Sequence, residues 1–177
     1  MILKFFQKLD DSIAYLFNNA INEKKFLKSY FKKKKIIFVD IGTNVGSYID
    51  LIENNLNIKK GFLIEPSLNA CHKLSERFNS KKFSIHNFAM SDMNKKKRIF
   101  YEYKLSSQSS LYKQNGFFNS FNDLKKTSYI QTKKFDDFMN RNISIDLCKI
   151  DTQGEDFNVL RGMSYFLKKK LIKLIKV

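Results

Sequence analysis

The chain has 177 residues, the length of one ordinary domain, and 43% of them are hydrophobic. That composition fills a packed core and excludes a disordered chain. The formal charge is +16, but the basic residues are mostly lysines in short runs along the whole sequence. Arginine, which grips phosphate through two parallel hydrogen bonds, is scarce. We therefore expect solvated lysines and no nucleic-acid partner, with an RNA-modifying enzyme kept as an alternative because of the charge.

The cysteine content and the hydropathy restrict the class of protein further. Two cysteines, Cys71 and Cys148, are too few for a disulfide scaffold or a zinc site, and they suit a reducing compartment. No grouping of histidine and carboxylate side chains indicates another metal, so none is predicted. No apolar run approaches the ~20 residues that cross a bilayer, and charges interrupt the N-terminus where a secretory signal would be apolar. We expect a cytoplasmic protein of unknown oligomeric state.

The first thirty residues have the apolar spacing of a helix with one buried stripe. The stripe consists of Phe5, Phe6, Leu9, Ile13, Leu16, Phe17 and Ile21. A shorter helical piece runs from Phe26 to Phe31. We assign residues 1–34 to an N-terminal helical extension, which either packs on the following domain as a lid or lies on a membrane surface as an amphipathic helix.

Buried strands alternate with helices from residue 35 onward. Ile36–Val39 is a short β-branched run that ends at Asp40, and Gly61–Ile64 is a second run that ends at Glu65 and Pro66. A helix follows each of them, and Phe83–Met90 is a third strand. Continuous apolar runs are typical of strands covered on both faces, and this order of elements predicts a parallel sheet.

The second half begins irregularly and then resumes the alternation. We predict an antiparallel strand at Arg98–Tyr103, a serine-rich loop at Leu105–Gln114 and a strand at Ser128–Thr132. The later elements are a helix at Phe135–Met139, a strand at Ile145–Ile150 ending at Asp151, one helix from Phe157 to Leu167 and a strand at Leu171–Val177. Residues 35–177 therefore form one domain. Its expected fold is α/β, Rossmann-like and doubly wound, with helices on both faces of a mostly parallel sheet.

The segment Asp40–Gly46 carries the first chemical signal. It joins a buried strand to a helix at the carboxyl edge of the sheet, where open α/β folds bind ligands. Gly42 permits a sharp turn and a close approach of backbone to ligand, whereas Gly46 lets the helix pack tightly. Glu65 ends the next strand and is placed to accept hydrogen bonds from ribose hydroxyls. The combination indicates a nucleoside-bearing cofactor.

Elimination narrows the choice of cofactor. No Gly-Lys-Ser/Thr follows the turn, which excludes an ATP-binding Walker loop. A dinucleotide site favours Gly-x-Gly-x-x-Gly, and Asn44 interrupts that pattern. A cofactor with a cationic amino-acid end, such as S-adenosylmethionine, makes use of a carboxylate at Asp40 because it offsets the positive charge.

Three separated motifs resemble the FkbM family of S-adenosylmethionine-dependent methyltransferases. The first two are Asp-x-Gly-x-Asn-x-Gly at positions 40–46 and Glu-Pro at 65–66. The third is Lys-x-Asp-x-Gln-Gly-x-Asp at 149–156, followed by Val-Leu-x-Gly at 159–162. The match extends from about residue 38 to the last residue. It departs from the family at Gln153, where Glu is common, and at Asp156, which replaces a longer Glu.

The resemblance implies a role for individual residues. Asp40 and the turn of Gly42, Thr43, Asn44 and Gly46 would hold the methionine end of S-adenosylmethionine, and Glu65, followed by Pro66, would take the ribose hydroxyls. Ala89 to Asp92 would border the adenine, with Asp92 accepting from its amino group. Asp151 would lie beside the methyl group. The serine-rich stretch 106–110 resembles a family segment that lies near the substrate or forms a flexible loop.

The expected reaction is methyl transfer to an oxygen of a sugar, glycan or other small molecule. Positioning dominates such a displacement, and a hydroxyl acceptor also needs a base. Asp151 is the first candidate for the base and Lys149 the second, although Lys149 and Asp156 are also interpreted as a surface pair that fixes the loop. His72 is expected on an exposed helix face and His86 in the core. The family sheet has two further strands, so we expect a sheet truncated after its fifth core strand. A non-catalytic or truncated cofactor-binding module is therefore the alternative function.

Overall fold

The computed structural model describes residues 21–113 and 123–177. The predicted helix over the first twenty residues lies outside them. Residues 21–31 form helix α1, in which Leu27 and Phe31 are buried while Phe26 and Tyr30 are half exposed and stack on each other. The shorter helical piece predicted from Phe26 to Phe31 is therefore present.

The chain divides into two compact units. The described part of the first comprises residues 21–35 and 48–57, with α1 and most of helix α2 (Ser47–Glu53). Its internal contacts include a hydrogen bond of 2.7 Å from the Tyr48 hydroxyl to Glu23 Oε1. Ile49 and Ile52 are its buried side chains on α2.

The described part of the second unit comprises residues 36–47, 58–113 and 123–177, with nearly all of the strand residues and the remaining helices that the structure describes. The strands are β1 (Lys35–Ile41), β2 (Asn57–Ile64), β3 (Phe83–His86), β4 (Ala89–Ser91), β5 (Lys95–Tyr103), β6 (Leu124–Lys134), β7 (Ile145–Ile150) and β8 (Ile172–Lys176). The helices are α3 (Leu68–Arg77), α4 (Phe135–Phe138), α5 (Asp156–Gly162) and α6 (Ser164–Lys168), and a 3₁₀ turn covers Ser106–Gln108.

Five strands form a parallel sheet in the order β3-β2-β1-β7-β8. Every residue of β7 is buried, and β1 is buried over its last four residues. The register pairs Phe38 with Leu147 and Asp40 with Lys149. The two central strands thus bury both faces, as their apolar runs predicted, and the α/β fold with a mostly parallel sheet is confirmed.

Three strands form a second sheet in the order β4-β6-β5, with β4 parallel and β5 antiparallel to β6. The prediction of one strand from Phe83 to Met90 is wrong, because the chain leaves the first sheet after His86 and enters the second at Ala89. The Asn87 side chain fixes this exit by donating to the carbonyl of Pro66 at 2.9 Å and to that of Glu65 at 3.1 Å.

One hydrophobic core of the described residues lies between the parallel sheet and the C-terminal helices. It joins strand residues such as Val39 and Ile150 to Val159 and Phe166. The predicted single helix from Phe157 to Leu167 is instead two short helices, α5 and α6, that meet at Met163. None of the described helices has the length and apolar character needed to cross a membrane.

Candidate functional site

A strained loop connects β1 to α2. Gly42, Asn44 and Gly46 have φ values of +78°, +50° and +89°, which glycine adopts without cost and asparagine tolerates better than most residues. The amides of Gly42 and Thr43 donate to the carbonyl of Ile64 at 3.0 and 3.2 Å. The end of β2 therefore holds the loop.

The two glycines of this loop serve close packing. A Cβ on Gly42 would lie 1.9 Å from the carbonyl oxygen of Asp151, and one on Gly46 would lie 2.4 Å from the Phe78 ring. Gly46 thus permits the close approach of Phe78, the C-cap residue of α3, rather than a contact between a helix and a strand. At Gly42 the group that approaches closely is the backbone that follows β7, so this glycine joins two segments of the site to each other.

Asp40 is fully buried at the end of β1. Lys149 Nζ lies 3.3 Å from its Oδ1 as an ion pair, but neither carboxylate oxygen has a hydrogen bond of good geometry within residues 21–113 and 123–177. Burial raises the pKa of Asp40 to about 6, although Lys149 opposes the shift. A buried carboxylate without hydrogen bonds is costly, and it is an acceptor suited to the N–H groups of a cation.

Glu65 is the second buried carboxylate, 6% exposed at the end of the neighbouring strand β2. Its oxygens accept hydrogen bonds of 2.8 Å from the amides of Asn44 and Ser67. Burial raises the pKa of Glu65 to about 7 against these hydrogen bonds. Each oxygen keeps acceptor capacity for another donor. The two acids that the sequence placed at adjacent strand ends are thus joined through one loop.

Lys149 links this loop to the end of β7. Its ammonium group donates to the carbonyl of Gly42 at 3.0 Å and lies 3.5 Å from Asp151 Oδ2. Its side chain is 9% exposed, whereas that of Asp151 is 54% exposed. The interpretation of Lys149 and Asp156 as a surface pair is wrong, since Asp156 instead accepts from the amides of Thr152 and Gly154.

The other predicted cofactor residues lie after β2, in the case of Pro66, and in or directly after β4, in the case of Ala89 and Asp92. Pro66 is joined to the β3–β4 connection through Asn87, and Ala89 is buried in β4. Asp92 follows β4 and lies 3.4 Å from the guanidinium group of Arg161. Asp92 therefore has a cationic partner within the protein, which the sequence did not indicate.

The two histidines lie where the sequence placed them. His72 is exposed on α3, and the half-buried ring of His86 packs against Phe62, Phe88 and Phe138. Among the described residues, no cluster of three or more His, Cys, Asp or Glu side chains is arranged to hold a metal ion.

Sequence reasoning missed several residues around the site. Ser67 caps the N-terminus of α3 and donates from its hydroxyl to Glu102 at 3.0 Å; a serine directly before a helix is the signal that would have found it. Buried Glu155 binds the guanidinium of Arg98 at 2.6 and 3.0 Å. No local pattern indicates that pair, because its members are 57 positions apart.

Comparison with known families and structures shows the family of this chain and supports its fold. The profile of the methyltransferase FkbM domain matches residues 40–177. The chain belongs to the FkbM methyltransferase family. No curated protein matches this chain.

Two solved structures are similar to the chain. One is the FkbM methyltransferase from Methylobacillus flagellatus, with a TM-score of 0.51 and 13% identity over 76% of this chain and 30% of that one. The other, from Pyrococcus horikoshii, is described as a proposed RNA methyltransferase and has a TM-score of 0.42 and 12% identity over 82% and 53% of the two chains. This member of the FkbM family thus spans about a third of the first structure and half of the second, and the first of them supports the α/β fold.

Proposed function

We propose that this chain binds S-adenosylmethionine and transfers its methyl group to a hydroxyl oxygen of a sugar, glycan or other small molecule. Membership of the FkbM family supports methyl transfer as the reaction. The choice of an oxygen acceptor follows from the family resemblance of the motifs and is the part that the experiments below must test.

The observation that carries the proposal is the pair of buried carboxylates at the ends of β1 and β2. Asp40 and Glu65 have pKa values raised to about 6 and about 7 by burial. Two acids held in such an environment destabilise the fold when they ionise, and perturbed pairs of this kind cluster at functional sites. A cationic ligand with hydroxyl donors offsets that cost.

The described residues fit the two ends of S-adenosylmethionine. Asp40 would bind the cationic amino-acid end, since neither of its oxygens has a hydrogen bond of good geometry among the described residues. Glu65 would accept from the ribose hydroxyls with its remaining lone pairs. Thr43 and Asn44 would keep the loop in shape, because the Thr43 hydroxyl donates to the carbonyl of Asp40 at 2.9 Å.

The adenine would lie near the start of the second sheet. Pro66 and Ala89 are brought into one region by Asn87, which bonds to the carbonyl of Pro66. Asp92 is the proposed acceptor for the adenine amino group, and it would share its carboxylate between that group and Arg161.

Asp151 is the proposed base. When bound, the cofactor supplies an activated methyl group on a positively charged sulfur, so the chain's own task is to hold the acceptor and take its proton. Asp151 is the exposed carboxylate of the site, which suits a group that meets an incoming hydroxyl. Lys149 is buried between Asp40 and Asp151, and we now assign it to holding these two carboxylates rather than to proton transfer.

Calorimetric titration with S-adenosylmethionine tests the cofactor assignment. We expect binding that strengthens from pH 5 to pH 8, because the raised pKa values leave Asp40 and Glu65 increasingly protonated, and thus neutral, as the pH falls below them. NAD should bind far more weakly. Equal affinity for NAD, or no affinity for either compound, would contradict the assignment.

The Glu65→Ala variant tests the ribose contact. Loss of a hydrogen bond to a charged acceptor should weaken S-adenosylmethionine binding by about 1–3 kcal/mol. The matched control is Glu76→Ala, which removes an exposed glutamate from α3. Methyl transfer from labelled cofactor to a panel of methyl glycosides then separates a catalytic domain from a module that only binds.

A further inference from the structure

We propose that Ser110 and Gln153 are positioning residues that hold the Asp151 carboxylate in the orientation it needs to accept a proton. The proposal rests on the proposed function, in which Asp151 is the base. It gives a role to two features of the sequence that the proposed function does not use. These are the serine-rich stretch and the glutamine at position 153, where the FkbM family commonly has glutamate.

Ser110 is anchored to the second sheet. Its amide and carbonyl form a pair of hydrogen bonds with the backbone of Tyr101 on β5, at 3.0 and 2.8 Å. The residue is 2% exposed, and its hydroxyl also accepts from the amide of Tyr112 at 3.1 Å. These contacts hold the Ser110 side chain in a position from which its hydroxyl can contact the loop after β7.

The Ser110 hydroxyl donates to the carbonyl of Gln153 at 2.7 Å. Gln153 has a φ of +55° and is followed by Gly154 at +109°. A glutamine in the left-handed region is strained and persists only where its surroundings hold it. The bond from Ser110 is a contact from outside the loop that supports this conformation.

The Gln153 side chain then reaches Asp151. Its amide nitrogen donates to Asp151 Oδ1 at 2.7 Å, while Lys149 Nζ lies 3.5 Å from Oδ2. Each oxygen of an otherwise exposed carboxylate therefore has a partner. Without Gln153 the carboxylate would keep only the ion pair of its Oδ2 with Lys149, which fixes its orientation less tightly, and loss of orientation in a proton acceptor slows the reaction.

Other contacts in the same loop hold its backbone rather than Asp151. Asp156 accepts from the amides of Thr152 and Gly154. Removal of the Gln153 amide should therefore change the orientation of Asp151 and leave the fold of the loop in place.

The contact is tested first without an acceptor, by NMR of ¹⁵N-labelled protein. We expect the side-chain amide signals of Gln153 to differ from those of the exposed Gln131, and to move toward them in both Asp151→Ala and Ser110→Ala. Gln153 signals that coincide with those of Gln131 in the unmodified protein would overturn the proposal.

The kinetic test uses methyl transfer from labelled S-adenosylmethionine to the acceptor found in the glycoside panel. Gln153→Met preserves the length of an exposed side chain and removes its donor, so it should fold normally. We expect kcat to fall between about 10-fold and 100-fold while the KM for S-adenosylmethionine stays the same. Gln131→Met, and Ser128→Ala on β6, should keep kcat within about 2-fold.

The outcomes separate this inference from the proposed function. An inactive Asp151→Ala together with a Gln153→Met of unchanged kcat overturns the positioning role and leaves the base in place. An active Asp151→Ala overturns the base itself, and the positioning role with it. If no glycoside accepts a methyl group, either the sugar acceptor or methyl transfer itself is wrong, and the amide signals alone decide whether Gln153 holds Asp151.

Discussion

The two sheets of this protein differ in how far their faces are buried. In the parallel sheet, β1 and β7 are covered on both faces. Asp40 lies near the end of β1 and Asp151 directly follows β7, so both acids are positioned by buried strands. In the three-stranded sheet, β5 and β6 leave one face to solvent, where Ile99 is 42% and Tyr129 is 72% exposed. One sheet is a core, and the other is a half-exposed support.

The difference in burial indicates that the two sheets contribute different kinds of side chain to the candidate site. The parallel sheet supplies the buried carboxylates, whose chemistry needs a low dielectric. The second sheet supplies Arg98 and anchors Ser110, and both side chains reach the loop after β7. We expect substitutions to be most damaging where the parallel sheet is tightest, intermediate where the two sheets meet, and nearly silent on the outer face of the second.

The largest effect is expected for Gly42→Ala. The added Cβ would meet the carbonyl oxygen of Asp151 at 1.9 Å, and φ is +78°, so the ends of β1 and β7 must separate. We expect a loss of at least ~3 kcal/mol in the free energy of unfolding, measured by urea denaturation. Gly154→Ala is the control, because its φ is +109° but its nearest atom lies at 3.5 Å. A cost as large at Gly154 would show that backbone strain, and not the tight contact, is decisive.

The next effect is expected for Glu155→Gln, where the two sheets meet. Glu155 is 1% exposed, and hydrogen bonds from Arg98 and Ser91 lower its pKa although burial alone would raise it. Loss of its charge leaves a partly buried guanidinium without a full partner, which should cost about 2–3 kcal/mol. Hydrogen exchange should show faster opening of β5 and β6 than of β1.

The control for that prediction is the exposed pair of Lys104 and Asp123, whose side chains are 70% and 67% exposed. Lys104→Ala should not change exchange in either sheet, because surface ion pairs contribute little. Equal acceleration of β1 and β5 by Glu155→Gln would mean that the two sheets open as one unit.

A third effect is a pH dependence of opposite sign at two aspartates. The pKa of Asp40 is raised to about 6, so without ligand the native state holds a proton that the unfolded state releases, and stability falls as the pH rises from about 4 through 6. Asp40→Asn removes that loss. As the pH rises from 4 to 8, its free energy of unfolding should therefore increase by about 1–3 kcal/mol relative to that of the unmodified protein.

Asp156→Asn should behave in the reverse manner. Hydrogen bonds from Thr152 and Gly154 lower the pKa of Asp156 against the effect of burial. Its ionised form therefore stabilises the native state at neutral pH, and that stabilisation disappears on acidification. Urea denaturation at pH 4 and pH 8 gives the free energy of unfolding of each variant relative to the unmodified protein. If this difference changes with pH in the same direction for both variants, the two aspartates do not lie in opposed environments.

The smallest effect is expected for Tyr129→Thr on the outer face of β6. The side chain is 72% exposed and lies opposite Ile99, and threonine retains the preference for a strand. The melting temperature should change by less than the equivalent of ~0.5 kcal/mol. A larger loss would show that this face is packed against something, and that the second sheet is more than a half-exposed support.

Much of the parallel sheet could be predicted because its signals are local. Ile36–Val39 and Ile145–Ile150 are continuous apolar runs, and each ends at an acid that the structure places at the carboxyl edge. The sequence also indicated strands within β5 and β6, at Arg98–Tyr103 and Ser128–Thr132, but it did not indicate that Phe83–Met90 divides between two sheets. That division depends on the Asn87 amide meeting the carbonyl of Pro66, 21 positions earlier in the chain.

The sequence by itself determined the strands at the centre of the parallel sheet, the glycine loop after β1, and the presence of acids at Asp40, Glu65 and Asp151. These features depend on residue type, periodicity and neighbours along the chain. Only the tertiary structure decided that Asp40 is buried without a hydrogen bond of good geometry from any described residue, that Lys149 meets the carbonyl of Gly42 across 107 positions, and that the Ser110 hydroxyl meets the carbonyl of Gln153 across 43. Contacts at such separations are set by packing, and packing determines the solvation and orientation on which the chemistry of a carboxylate depends.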